Sequence, residues 1–221
     1  MTYPHEQKPS RWQPDDVNQD IRHTSASTGI DHSMDWYHMS VYLHERHLSY
    51  LLARINERKS IRRKGVRIYI PATTRIPGHV YWQARGIEGQ ELRYDSPYGP
   101  RRDALVITKS NSLKPDHTAV VVEGPMDALA ASGVPGHTGI ALMGHQPSDE
   151  VLAHLVHHVN QYDKVIFVAD SDEIAGMAMV QQSVALIGGN PGVCMILDKN
   201  DLACYTFSER QDLFKRPQGE L

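Results

Sequence analysis

The second half of the chain alternates short apolar runs with amphipathic runs. Four runs are rich in β-branched and other apolar residues, as buried strands are; they are Thr118–Glu123, Thr138–Met143, Lys164–Ala169 and Val193–Leu197. Three runs with helical spacing lie between them: Met126–Ser132, Ser148–Asn160 and Glu173–Ile187. Such alternation of strand and helix predicts a parallel sheet flanked by helices, an α/β fold of the Rossmann-like kind.

The first half has a different rhythm. From Met34 to Arg58, apolar residues recur at spacings of three and four, which predicts a helix. Four short runs follow that are rich in β-branched and aromatic residues and are separated by Pro and Gly turns. They are Val66–Pro71, His79–Arg85, Glu91–Asp95 and Ala104–Thr108. This pattern predicts a small, mostly antiparallel sheet.

These changes of rhythm divide the chain into four parts. Residues 1–34 are an irregular polar tail, and residues 35–115 form a small α+β subdomain. Residues 116–200 form the α/β domain. Residues 201–221 are a polar C-terminal tail, with one helical turn expected near Phe207–Phe214.

Charge is unevenly distributed between the halves. Residues 1–115 carry a net charge of +6 and residues 116–221 one of −9, which gives −3 for the 221 residues. The basic half is suited to a polyanion, and the acidic half to a metal ion. No apolar run approaches the ~20 residues that span a bilayer, and the polar N-terminus does not resemble a signal peptide. Two cysteines exclude a disulfide framework or a zinc ribbon and fit a reducing cytoplasm.

Carboxylates follow two of the predicted strands directly. Glu123 and Gly124 end the first strand, with Asp127 one helical turn further on, and Asp170 and Asp172 follow the third strand. Because parallel strands end at one sheet edge, these four acids should meet there. Their repulsion would be relieved by a divalent cation, and oxygen ligands favour Mg²⁺ or Mn²⁺ over zinc. Taken singly, Asp127 and the later pair could equally be helix caps.

The chain also contains 13 histidines, three of which share a predicted helix: His154, His157 and His158. The chain has no His-Glu-x-x-His frame, so a zincin-type site is not predicted. These histidines are interpreted as a solvated helix face.

The order and spacing of the acids resemble the Toprim domain of primases, topoisomerases and some nucleases. The Toprim pattern is Glu-Gly after the first strand, with an Asp four residues beyond the Glu, and Asp-x-Asp after the third strand. The resemblance implies Glu123, Asp127, Asp170 and Asp172 as catalytic residues. It implies Mg²⁺ or Mn²⁺ bound by Glu123, Asp170 and Asp172, with Asp198 as a further ligand after the last strand.

Motifs in the first half resemble bacterial (DnaG-type) primases in particular. Tyr42–Ser49 is similar to their Tyr-Leu-x-x-Arg-Gly-Leu-Ser helix, and Arg93–Pro97 to their Lys-Tyr-x-Asn-Ser-Pro element. Arg67–Pro71 and Gly78–Ile87 are similar to the strands between these two motifs. The resemblance implies a basic ridge that binds template and nucleotide phosphates, formed by Arg67, Arg85, Arg93, Arg101 and Arg102.

The expected function is therefore that of a primase core that makes short RNA primers on single-stranded DNA from NTPs. Such primases also carry a zinc ribbon and helicase-linked domains, so a replicative helicase or a separate template-recognition protein is an expected partner. A stripped core of this kind is associated with phage or mobile-element replication in a bacterial cytoplasm. Two alternatives stay open: a Toprim nuclease with the same acids, and a non-catalytic replication accessory protein that binds nucleic acid.

Overall fold

The computed structural model describes residues 40–49, 62–64, 67–79, 81–86, 94–96, 101–144, 146–170 and 174–215. Several sequence predictions fall outside these ranges. They are the tail 1–34, the predicted helix beyond residue 49, Arg93, Asp172 and residues 216–221.

A small antiparallel sheet lies in the first half, as predicted. Its strands are β1 (Arg62–Lys64), β2 (Arg67–Pro71), β3 (Trp82–Gly86) and β4 (Tyr94–Asp95), paired in the order β1-β2-β3-β4. The helical segment 40–45 packs against this sheet, since Leu43 and Leu48 share a buried cluster with Ile68 and Ile70.

A five-stranded sheet forms the second half. Its strands are β5 (Val106–Thr108), β6 (Thr118–Val122), β7 (His137–Ala141), β8 (Lys164–Ala169) and β9 (Val193–Ile196). Their order is β5-β7-β6-β8-β9, with β6 to β9 parallel and β5 antiparallel at one edge. All five residues of β6, at the centre, are buried. Burial on both faces explains the continuous apolar runs of the sequence, and the predicted parallel sheet is confirmed.

Strand β5 departs from the sequence prediction, which placed it in the small sheet. It pairs with β7 instead, with Val106 opposite Ala141. Leu105, one residue earlier, exchanges two backbone hydrogen bonds with Thr73, of 2.7 and 3.0 Å, and so joins the two halves. Leu105 and Val106 are both fully buried. An apolar run buried on both faces does not reveal which of two sheets it joins.

The second half also contains four helices, the first three of which lie between successive strands from β6 to β9. They are α1 (Pro125–Ser132), α2 (Asp149–Val159), α3 (Ile174–Leu186) and α4 (Phe207–Lys215). The first three agree with the predicted helices to within a residue or two. Ser148 caps α2 as predicted, because its hydroxyl accepts a 3.4 Å hydrogen bond from the Val151 N–H. In the part of the chain that the structure describes, every helix is too short or too polar to cross a membrane.

Among the described residues, the helix predicted over Met34–Arg58 is interrupted after residue 45. A turn follows residue 45, and His47 adopts a left-handed conformation with φ of 53°. The N–H of Leu48 bonds to the carbonyl of Leu43 at 2.7 Å, and that of His47 to His44 at 3.0 Å, as in a Schellman motif. Leu43 and Leu48 are buried together, and this contact accompanies the helix end.

The predicted C-terminal tail is largely folded. A 3₁₀ turn (Leu202–Cys204) precedes α4, which is nine residues long rather than a single turn. We call residues 201–215 the C-terminal segment. Its Leu213 and Phe214 join the core cluster that contains Leu43. The fully buried Arg210 donates a 2.8 Å hydrogen bond to the carbonyl of His47. The C-terminal segment therefore ties the first described residues to the large sheet.

The interpretation of the three α2 histidines as solvated is wrong for His154. This side chain is 1% exposed, and its Nδ1 lies 2.6 Å from the carbonyl oxygen of Asp103. Its Nε2 lies 3.0 Å from Nε2 of His158. Burial lowers the pKa of His154, so the ring is neutral in the core, with Nδ1–H as the donor to the carbonyl.

Asp103 fastens the loop before β3, and its loss should destabilise the protein in a pH-dependent way. Its carboxylate, 3% exposed, accepts hydrogen bonds from the Arg75 N–H and, at 3.1 Å, from the Ile76 N–H; it also pairs with His79. Burial raises the pKa of Asp103, but these hydrogen bonds outweigh burial and lower it overall. Asp103→Asn should cost roughly 1–3 kcal/mol of unfolding free energy at pH 7.

Because the folded-state pKa is depressed, the contribution of Asp103 is present above its unfolded pKa of about 4 and is lost as pH falls through the folded value. Urea denaturation of wild type and Asp103→Asn should therefore show a gap in unfolding free energy that narrows below about pH 4. Asp212→Asn, at a side chain that is 70% exposed, is the control. A gap that is constant from pH 7 to pH 3 would contradict the assignment.

Candidate metal centre

Two adjacent parallel strands deliver carboxylates to one edge of the large sheet. Pairing of Val121 in β6 with Phe167 in β8 places Glu123 level with Ala169, immediately before Asp170. Glu123 and Asp170 line one small pocket, together with Gly144 and Gly176. The sequence placed these two acids correctly, because the carboxyl ends of parallel strands share an edge.

Helix α1 places Asp127 beside this edge. The helix begins at Pro125, whose missing N–H suits a first turn, and Gly124 precedes it. A side chain at Gly124 would lie 3.0 Å from Oδ2 of Asp127, so the glycine leaves room for the carboxylate. Oδ1 of Asp127 accepts a 3.2 Å hydrogen bond from the N–H of Ala203. The first turn of α1 and the C-terminal segment thus fix Asp127 together.

A further acid, Asp201, lies near Asp127 and was not singled out from the sequence. Its Oδ2 is 3.1 Å from Nη1 of Arg46, in the segment before the small sheet. Its Oδ1 is buried and has no hydrogen-bond partner among the described residues. The run from Asp198 to Asp201 offered two aspartates, and only the tertiary structure shows which one turns inward.

The pKa of Asp127 is shifted by its burial and by the charges of neighbouring acids. Burial, followed by the charges of Asp201 and then Asp170, raises the pKa of Asp127 to about 7. The hydrogen bond from Ala203 and the charge of Arg46 oppose this rise but do not cancel it. Asp127 therefore experiences the negative charges of Asp201 and Asp170, which the positive charge of Arg46 opposes.

Of the two remaining predicted ligands, Asp198 and Asp172, the structure describes Asp198. Asp198 follows β9 and is exposed, and its carboxylate accepts a hydrogen bond from the hydroxyl of Tyr205. That hydroxyl also accepts hydrogen bonds from the backbone N–H groups of Asp198 and Lys199, at 2.9 and 3.0 Å. Asp172 lies outside the described residues. The metal roles of Asp198 and Asp172 stay predictions.

We call the acids at this end of the sheet, Glu123, Asp127, Asp170 and Asp201, the acid edge. The acid edge has the chemistry of a site for a hard divalent cation. Within the described ranges, no three His, Cys, Asp or Glu side chains are already arranged around a common point. The buried, unpartnered Oδ1 of Asp201 and the raised pKa of Asp127 are nevertheless what carboxylates show when a compensating cation is missing. An all-oxygen donor set suits Mg²⁺ or Mn²⁺. These residues therefore fit the ion that was predicted.

Of the five predicted basic residues, Arg85 is buried and Arg102 is exposed. Arg85 is 7% exposed; its Nε donates a 3.0 Å hydrogen bond to the Tyr42 hydroxyl, and its guanidinium lies 4.9 Å from the ring centre of Tyr94. Arg102 is exposed beside Ser148. The side chain of Arg67 and the whole of Arg93 are outside the described set.

Arg101 supports the wall of the pocket. Its guanidinium donates hydrogen bonds to the carbonyls of Met143 and Gln146, and a side chain at Gly144 would meet its Nη1 at 2.9 Å. Met143 has a positive φ of 58°, and its N–H bonds to the carbonyl of Glu123 at 2.8 Å. Arg101 thus braces the loop that follows β7. Its predicted contact with nucleic acid remains a prediction.

Comparison with known proteins finds a family model that is similar to most of the large sheet. Residues 118–187 match the Toprim domain model, which covers β6 to α3 and both acid-bearing strand ends that the structure describes. No curated protein matches the chain in sequence. Residues 118–187 are therefore similar to a Toprim domain, as the motifs predicted.

Solved structures extend the likeness to the first half. The zinc-binding and RNA polymerase domains of the Aquifex aeolicus primase match with a TM-score of 0.58 and 15% identity, over 96% of this chain and 63% of that one. A DnaG primase catalytic domain bound to ssDNA matches at 0.57 and 13%, over 90% and 75%. The Mycobacterium tuberculosis DnaG RNA polymerase domain, in complex with double-stranded DNA, matches at 0.55 and 18%, over 91% and 80%. The fold is thus that of a DnaG-type primase catalytic core.

Proposed function

We propose that this chain is a primase core that joins ribonucleoside triphosphates into short RNA primers on a single-stranded DNA template. The observation that carries the proposal is the acid edge of Glu123, Asp127, Asp170 and Asp201 within a fold that matches primase cores over at least 90% of the chain. Template delivery would fall to a replicative helicase or a template-recognition protein in the bacterial cytoplasm.

Glu123, Asp170 and Asp172 would hold Mg²⁺ or Mn²⁺, with Asp127 and Asp201 as neighbouring acids. When bound, the cation supplies charge neutralisation for the triphosphate and lowers the pKa of the attacking 3′-hydroxyl. The protein's own part is positional. Strands β6 and β8 hold Glu123 and Asp170 at one pocket, and Arg46 orients Asp201 through their 3.1 Å ion pair. Gly124 leaves open the approach to Asp127.

The proposal is tested by incubating the full chain with single-stranded DNA, labelled NTPs and Mg²⁺ or Mn²⁺. Short labelled oligonucleotides that disappear in Glu123→Gln would support primase activity. Metal-dependent shortening of the DNA without synthesis would show the nuclease alternative. Tight DNA binding with neither activity, repeated on templates of varied sequence, would show an accessory protein and would overturn the proposal.

Asp201→Asn is expected to weaken metal binding by roughly 10-fold or more, because it removes a charge beside Asp127. Mn²⁺ titration followed by electron paramagnetic resonance measures this without any catalysis. Asp198→Asn is the matched variant, three residues away in the same loop and bonded to Tyr205. A larger loss of affinity in Asp198→Asn than in Asp201→Asn would restore Asp198 as the more important ligand.

Arg102→Ala is expected to weaken binding of single-stranded DNA uniformly across sequences. The side chain is exposed and would contact phosphate rather than bases. Its removal should lower the slope of log affinity against log salt concentration by about 1. Fluorescence anisotropy at several salt concentrations provides the measurement, with Lys215→Ala, at a side chain that is 71% exposed in α4, as the control. An unchanged slope would place the DNA elsewhere.

A further inference from the structure

Helix α3 presents an uncharged apolar face to solvent. No Asp, Glu, Lys or Arg occurs between Glu173 and Asp198 in the sequence. The inward stripe of the helix is Met177, Val180 and Val184. On the opposite side, Met179 is 68% exposed and Leu186 is 85% exposed. Large apolar side chains grouped on one exposed helix face mark an interaction surface.

The pattern of this face is self-complementary about Gln182. Ala178 and Met179 lie four and three residues before it, and Ala185 and Leu186 lie three and four residues after it. If two such helices are laid antiparallel across a two-fold axis at Gln182, Met179 of one copy faces Ala185 of the other. Leu186 likewise faces Ala178. Each large side chain thus meets a small one, which is what interdigitated packing requires.

The charge distribution also favours a second copy of the chain as the partner of this face. The second half of the chain carries −9, so a two-fold interface built on most of its faces would oppose like charges. The α3 face avoids this repulsion because it has no ionised group. Its single polar side chain at the centre, Gln182, carries an amide that both donates and accepts, so it can pair with its own copy. A charged partner would find no complementary ion pair on this face.

We propose that the α3 face, defined by Ala178, Met179, Gln182, Ala185 and Leu186, is a homodimer interface in which two copies of the chain pair antiparallel about Gln182. Gln182 lies eight residues from the start of α3, or about 12 Å along the axis. The pocket that contains Glu123 and Asp170 is lined by the inward Met177 and Val180 of α3, on the side of the helix away from the α3 face. The proposal does not depend on the catalytic function.

Sedimentation equilibrium of the full chain across a wide concentration range tests the interface. Wild type should form a dimer. Met179→Glu and Leu186→Glu should each raise the dimer dissociation constant by at least about 100-fold, since each places a charge in an apolar contact. Leu113→Glu is the matched control, because Leu113 is equally apolar and fully exposed but lies outside the face. Circular dichroism and thermal melts confirm that each variant folds.

Gln182→Cys tests the geometry independently, since a two-fold axis there brings equivalent residues together. Oxidation should cross-link two copies of Gln182→Cys but not wild type, whose Cys194 and Cys204 serve as the background. A wild type that stays monomeric, or a dimer that Met179→Glu leaves intact, would overturn the proposal. A dimer without the Gln182→Cys cross-link would overturn the antiparallel pairing.

Discussion

Asp170→Asn should reduce primer synthesis by about 10³-fold while making the folded protein slightly more stable. The loss corresponds to roughly 4 kcal/mol of transition-state stabilisation, as expected when an anionic ligand of a catalytic cation becomes a neutral amide. The gain in stability arises because the charge of Asp170 is one of those that raise the pKa of Asp127. Removing one of several crowded carboxylates should add up to about 1 kcal/mol to the unfolding free energy.

The opposite signs of the two effects make the experiment decisive. Initial rates of NTP incorporation and urea denaturation are measured on the same preparations. Asp163→Asn is the matched control, because Asp163 precedes the other end of β8 and its side chain is 85% exposed. Lost synthesis accompanied by lost stability would make Asp170 a structural residue. Retained synthesis would remove the acid edge from the proposed chemistry.

Gly139→Ala is expected to destabilise the protein by roughly 3 kcal/mol or more. Gly139 lies in β7 opposite Val120, and a Cβ there would be 2.0 Å from the carbonyl oxygen of Ala128 in α1. The obstruction is backbone, so no change of rotamer relieves it and the helix must move. Because α1 carries Asp127, such a movement should also weaken Mn²⁺ binding.

Gly136→Ala separates this close approach from ordinary glycine effects. Gly136 lies three residues earlier and has a φ of 81°, but a Cβ there would meet nothing within 4 Å. Its replacement should cost only the left-handed backbone penalty of roughly 1–2 kcal/mol, with metal binding unchanged. Urea denaturation of both variants gives the comparison. Equal losses of stability would show that β7 and α1 are not in the close contact described.

The positions of Glu123 and Asp170 in the acid edge were predictable because they follow from local rules. Runs such as Lys164–Ala169 are long enough and apolar enough to be buried strands, and the residue after a parallel strand must lie at the sheet edge. Glu123 and Asp170 were therefore placed from the sequence alone. The alternation of strand and helix likewise predicted that the sheet is parallel.

The features that escaped prediction depend on contacts between distant segments. Asp201 was not distinguished from Asp198 because its position is set by Arg46, 155 residues earlier in the chain. Arg85 has the charge of a surface residue, but the rings of Tyr42 and Tyr94 enclose it. Charge and spacing along a sequence carry no record of such partners, so burial of an arginine or the inward turn of an aspartate appears only in three dimensions.

The joining of the C-terminal segment to the first described residues has a consequence for biosynthesis. Leu43 and Leu48 share a core with Leu213 and Phe214, so they are translated long before these C-terminal partners exist. At the usual elongation rate of about 5–20 residues per second, the delay is on the order of ten to thirty seconds. Until then the core cluster lacks its C-terminal part, so the early apolar residues of the nascent chain stay exposed to aggregation for longer.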